Sequence, residues 1–178
     1  LPVGSTGERA RGWKIPMCVR YGVGDQVFEG CTLLEEPVGE LALEGGRCPD
    51  WVMPNARGAG YYRFSLAGDA LKDLRGAGWA RLTPMEKLAF ADSLRAAFES
   101  GSLPAAELYA SLQPLAQDRV RQVAMAPMAL LEFALERLVG EEQRSAVRAL
   151  ARRLYMPTYR RLGWEPSVKG QEDGESTL

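Results

Sequence analysis

At 178 residues, 46% of them hydrophobic and 25% charged, the chain has enough apolar content for one sizeable core or two small ones. Its 22 lysines and arginines are balanced by 23 acidic residues, and the net charge of -1 gives no overall attraction to nucleic acid or to an anionic membrane. No apolar run approaches the roughly 20 residues that span a bilayer, and the absence of histidine removes the usual neutral-pH general base and the commonest zinc ligand.

The chain begins with Leu1, Pro2, Val3 and Gly4, which carry neither an initiator methionine nor the charged-then-apolar layout of a signal peptide. It reads as cut from something longer, and the sequence assigns no compartment. Residues 13–21 then alternate: Trp13, Ile15, Met17, Val19 and Tyr21 share one face, and Lys14, Cys18 and Arg20 the other. That period of two predicts a strand with one buried face. Pro16 cannot donate to a ladder, so the strand is either at an edge or paired on one side there. Gly22 and Gly24 supply turn geometry, and residues 27–34 and 38–43 read as further strands, punctuated by Gly39, Gly45 and Gly46. Trp51 opens a short aromatic-led strand. Pro54, Asn55, Gly58 and Gly60 form a turn, and residues 61–66 are predicted to return as another strand. Residues 13–66 thus read as a small antiparallel β-sandwich, giving a first domain at 1–66.

Cys18, Cys31 and Cys48 all lie in this part. No CxxC pair occurs, and without histidine a structural zinc site is not expected. The three read as buried thiols acting as small hydrophobes, the alternative being one disulfide with one thiol left over.

From residue 67 the pattern turns helical. Residues 68–74 form a short helix. Thr83, Pro84 and Glu86 make a capping box, followed by Leu88, Ala91, Leu94, Ala97 and Phe98 at spacings of three and four, with Gly101 as the stop. Residues 103–113 give another helix. Residues 118–139 give a longer one that Pro127 should kink or split, and residues 141–162 close the set before Gly163, with Pro157 inside. Short loops between antiparallel helices predict an α-helical array that begins an α-superhelical domain, here 67–178, with residues 167–177 as a polar loop.

Three stretches occur in an order that is informative. Trp13-Lys-Ile-Pro-Met comes first, then Trp51-Val-Met-Pro-Asn with Gly60-Tyr-Tyr-Arg, then Leu82-Thr-Pro-Met-Glu-Lys with Asp92 and Gly101. In this set, residues 13–163 resemble the C-terminal half of the gluzincin zinc aminopeptidases, the aminopeptidase N and puromycin-sensitive type. The resemblance implies a β-sandwich and the start of a helical cap, placed after a thermolysin-like catalytic domain. It implies zinc in the parent, and as partners the upstream catalytic domain and a peptide substrate. The HExxH motif, the downstream glutamate ligand and the G-x-M-x-N substrate loop of that family are absent here. No catalytic, cofactor-binding or metal-binding residue can therefore be carried over, and the chain by itself is expected to be inactive. The alternative is an independent β-plus-helical interaction module with no enzyme attached.

Asn55 is expected to satisfy backbone groups of its own turn. Tyr61 and Tyr62 fall on opposite faces, one in the core and one at a boundary, with Trp79 as a partner from the helical side. Arg63 is a candidate to pair with a carboxylate across the boundary, and Asp92 reads as a buried or half-buried carboxylate paired with an arginine. Met125, Met128, Leu131 and Leu135 read as a core stripe. Arg144, Arg148 and Arg152 repeat every four residues, in a stretch with no acid between Gln143 and Trp164. A nucleic-acid site is not expected there, because the rest of the chain cancels the charge. A solvated helix face is the default reading, and a peptide-facing basic surface the sharper one.

Overall fold

The computed structural model describes residues 13–66 and 68–163; the loop expected at 167–177 lies outside them. Strands β1 (Ile15–Val23) and β2 (Gln26–Leu34) form a hairpin paired along its whole length, from Ile15 opposite Leu34 to Val23 opposite Gln26. The two-residue loop Gly24–Asp25 closes it. Gly24 adopts φ +61°, the left-handed geometry such a loop needs, and its N–H donates to Asp50 Oδ2 at 2.6 Å. β3 (Trp51–Met53) pairs antiparallel with Arg20–Gly22 on the other side of β1, giving the order β2-β1-β3. Pro16 therefore sits in the central strand, at a point where only β2 is beside it.

Two expected strands do not form. Residues 38–43 make no ladder. Val38 is exposed, Leu41 rests against Gly30 of β2, and the segment ends with Glu44 N–H donating to the Tyr21 hydroxyl at 2.7 Å. Residues 61–66 likewise have no strand partner. Their neighbour is a helix: Phe64 N–H points at Ser93 Oγ (3.4 Å), and Arg63 pairs with Asp92. The layer facing the sheet is helical. The β-plus-α class holds, with one three-stranded sheet as its β layer among the described residues.

Helix α1 (Asp69–Asp73) runs into a π turn, Leu74–Gly78, and a 3-10 turn, Trp79–Arg81. α2 (Pro84–Glu99) starts at the expected capping box, with both reciprocal hydrogen bonds between Thr83 and Glu86 formed. α3 (Ala105–Ala116), α4 (Arg121–Phe133) and α5 (Glu141–Leu162) follow, with a π turn at Ala134–Leu138. Pro127 and Pro157 do not split their helices: α4 and α5 continue through them. At Pro127 the ring is itself buried, so packing holds the turn that lacks an N–H. α4 begins three residues later than expected because Asp118 turns back on the chain, accepting from Val120 N–H at 2.9 Å and from Lys87 Nζ at 2.6 Å.

The core stripe on α4 also differs from the expected one. Val123, Ala124, Pro127, Leu130 and Leu131 are buried, while Met125 and Met128 are exposed. α4 has apolar residues on two faces, and only one of them meets α2 and α3. The cysteines are not three buried thiols: Cys18 and Cys31, directly opposite in the hairpin, form a disulfide, and Cys48 is a free, exposed thiol. One continuous core joins Trp51 and Met53 of β3 to Leu71, Leu74, Phe90, Leu108, Leu115, Val123, Leu130, Val147 and Leu154.

Candidate functional site

The densest polar arrangement lies where the sheet meets α2. Trp51 is 4% exposed, its ring held between two glycines. A Cβ on Gly22 would fall 2.2 Å from its Nε1, and one on Gly78 would fall 3.0 Å from its Cγ. Only residues without a side chain let the indole close the gap between β1 and the turn after α1. Arg20, on β1, lies over the same ring with its guanidinium carbon 5.8 Å from the centroid.

Arg20 then reaches Glu86, donating from Nε at 2.8 Å and from Nη2 at 2.7 Å, and Nη2 also donates to the Arg81 carbonyl. Glu86 is fully buried. Its carboxylate accepts two further bonds, from Arg57 N–H at 2.9 Å and from Thr83 N–H at 2.7 Å. Burial pushes its pKa up, but the N–H groups of Arg57 and Thr83 and the Arg20 guanidinium outweigh this and hold the carboxyl below the ordinary glutamate range. To present its N–H, Arg57 adopts φ +59°, left-handed geometry that costs a non-glycine residue about 1 kcal/mol. Gly58 follows at φ +64°, passing so close to the Met85 carbonyl that a Cβ there would lie 2.7 Å from it. One carboxylate thus fixes the central strand, the turn after β3 and the start of α2.

The turn itself is held as the sequence suggests. Asn55 is buried, its Nδ2 donating to Gly60 O at 2.9 Å and its Oδ1 accepting from Gly60 N–H at 2.8 Å. Tyr62 points inward, with its hydroxyl donating to Pro54 O at 2.7 Å, while Tyr61 is fully exposed. Arg63 does pair with Asp92, at 2.8 Å, but both side chains are exposed, so Asp92 is not the buried carboxylate expected. Trp79 does not meet the tyrosines. It packs edge-on against Phe90 at 5.7 Å, with Lys87 Nζ 5.1 Å from its ring centroid.

Arg144, Arg148 and Arg152 lie on α5, apart from the groups that meet at Glu86. Arg144 is half-buried and pairs with Glu141 at 3.1 Å, and Arg148 and Arg152 are exposed. The roles of Arg20, Arg57 and Gly78 were not foreseen; Glu86 was foreseen only as a helix cap. Nor do the residues present fit a zinc centre. The chain has no histidine, Cys18 and Cys31 are joined to each other, and among the described residues no three Cys, Asp or Glu side chains converge.

The chain matches the ERAP1-like C-terminal domain over residues 51–177, a span that takes in β3, Glu86 with its Arg57 and Thr83 donors, and the helical array, while β1 with Arg20 and β2 precede it. No curated protein matches the chain. The chain belongs to the family of ERAP1-like C-terminal domains, the C-terminal domain family of the M1 aminopeptidases.

Proposed function

We propose that the chain is the non-catalytic C-terminal part of a zinc-dependent aminopeptidase of the aminopeptidase N and puromycin-sensitive type. In this reading the zinc and the catalytic groups belong to an upstream domain, and this part supports and caps the active site where N-terminal residues are removed from peptides. The observation that carries it is the family match across residues 51–177, a segment in which β3 and the helices share one core. A cap can restrict access only if its support is stiff, and the Glu86 and Trp51 contacts supply that stiffness. On the same reading, 1–66 and 67–178 are the supporting and capping units, and Arg144, Arg148 and Arg152 face the peptide and attract its C-terminal carboxylate.

The test has two parts. The polypeptide encoded upstream of Leu1 should contain HExxH, and the longer polypeptide should cleave aminoacyl reporters in a chelator-sensitive way. This chain alone should neither cleave them nor retain stoichiometric zinc after chelator washing. Absence of HExxH upstream, or tightly held zinc with reporter cleavage in the chain alone, would overturn the proposal.

A further inference from the structure

The bridge between Cys18 and Cys31 follows from the ladder it spans. Gly22 O accepts from Asp50 N–H on the β3 side of β1, so the even-numbered residues of β1 turn their backbone toward β3 and the odd-numbered ones toward β2. Cys18 and Cys31 are thus a directly opposed pair without mutual backbone hydrogen bonds, the kind whose side chains stand closest, and their Cα atoms are 4.1 Å apart. The flanking pairs, Met17 with Thr32 and Val19 with Gly30, are the hydrogen-bonded ones. Backbone bonds on both sides therefore keep the two cysteines opposed whether or not their sulfurs are joined.

The bond is also within reach of a thiol in solution. β2 is the outer strand in the order β2-β1-β3, and Cys31 on it is exposed. Cys18 is half-buried and lines a groove of about 620 Å³ with Glu29, Arg57 and Tyr62 among others. Thiolate attack runs in line with the bond it breaks, so the open approach is from the free edge onto Cys31, with Cys18 as the leaving group. The third cysteine is too far away to take part. Cys48 lies two residues before Asp50, whose Oδ2 accepts from Gly24 N–H at the far end of the hairpin, about 20 Å of strand from Cys18.

Two contacts tie this hairpin to the turn after β3. The Tyr62 hydroxyl stands 3.3 Å from Cys18 O, and Glu29, two positions before Cys31 on the same face, accepts from Arg57 Nε at 3.1 Å. Arg57 is the residue whose N–H donates to the buried Glu86. We propose that Cys18–Cys31 is a thiol–disulfide exchange site for a dithiol reductant, a reversible latch that sets how firmly the hairpin holds that turn. One thiolate of the reductant bonds to Cys31 Sγ as the bridge breaks, and Cys18 leaves as a thiolate that takes up a proton. The reductant's second thiol then displaces Cys31, so the protein gains two electrons and two protons and the reductant becomes its own disulfide. In the reduced form the end of the hairpin opens more readily and its hold on Tyr62 and Arg57 slackens; oxidation restores both.

Dithiothreitol acting on the folded chain tests this, in the Cys48→Ser form so that only the bridge reacts. Alkylation and mass spectrometry should show two thiols appearing at a rate proportional to dithiothreitol concentration, and disappearing when the reagent is exchanged for its oxidised form. Amide exchange at Met17 and Thr32 should quicken about tenfold on reduction, because local opening there is no longer cross-linked, while the α3 amides keep their rates. The variant Cys18→Ala/Cys31→Ala should exchange as the reduced chain does and ignore the reductant; the reduction experiment decides the matter even if that variant does not fold. Reduction only at the rate of global unfolding, whatever the dithiothreitol concentration, would make the bridge a structural staple and overturn the proposal. Two thiols that oxidised dithiothreitol does not join would overturn it as well, as would equal exchange at Met17 and Thr32 in the two states.

Discussion

At Glu86 the cost of burying a carboxylate is offset by four N–H donations, two from Arg20 and one each from Arg57 and Thr83. Replacing Glu86 with Gln removes the charge and leaves Arg20 facing a neutral amide, which should lower stability by about 3 kcal/mol in urea unfolding at neutral pH. The sign of the pH effect follows from the depressed pKa in the folded state. The contribution is fully present above the unfolded value of 4.5 and is lost as pH falls through the lower folded value. The unmodified chain should therefore lose stability below that pH, and the Glu86→Gln variant should lose less over the same interval; an unchanged acid limb in the variant would show that this carboxylate is not what links stability to pH. Gly22 permits a second test at the same place. Gly22→Ala drives a methyl into a wedged Trp51 ring and should cost about 2 kcal/mol, with a shifted tryptophan emission. A change within the scatter of ordinary surface substitutions would mean that the indole has room to move.

α4 separates what a helix shows in its sequence from what it hides. Leu130→Ala should cost about 3 kcal/mol, because the side chain is buried between helices. Met125→Ala and Met128→Ala should each stay within about 0.5 kcal/mol, because both side chains lie on the exposed face. Comparable losses at all three positions would restore the methionine stripe as core. The capping box of α2 was legible because Thr83, Pro84 and Glu86 act on one another within a single turn. The alternation of residues 15–21 was legible for the same local reason, whereas Trp13, expected on the same buried face, lies before the strand and is exposed. Residues 61–66 were not, since an extended segment has the same pattern whether a strand or a helix lies beside it. The methionines failed in another way: a helix apolar on two faces does not say which face its neighbours will cover.

Across the whole molecule, the contacts that matter most join residues far apart in the chain. Arg20 and Glu86 are separated by 66 positions and Arg57 and Glu86 by 29, and nothing in a single sequence states which arginine meets which carboxylate. The ordered motifs indicated the family; the long-range contacts show how the sheet is fixed to the helical array. If the chain is a stiff support, that joint must not open before the rest unfolds. Native-state hydrogen exchange in increasing urea measures this directly, through the amides of β1 from Val19 to Gly22 and those of α3 and α4. The account predicts that both groups come to exchange through one global opening with the same free energy and the same urea dependence, and that Glu86→Gln separates them. If the β1 amides of the unmodified chain open at clearly lower free energy, while α3 and α4 remain protected, the sheet is a loosely attached unit and the proposed support is contradicted.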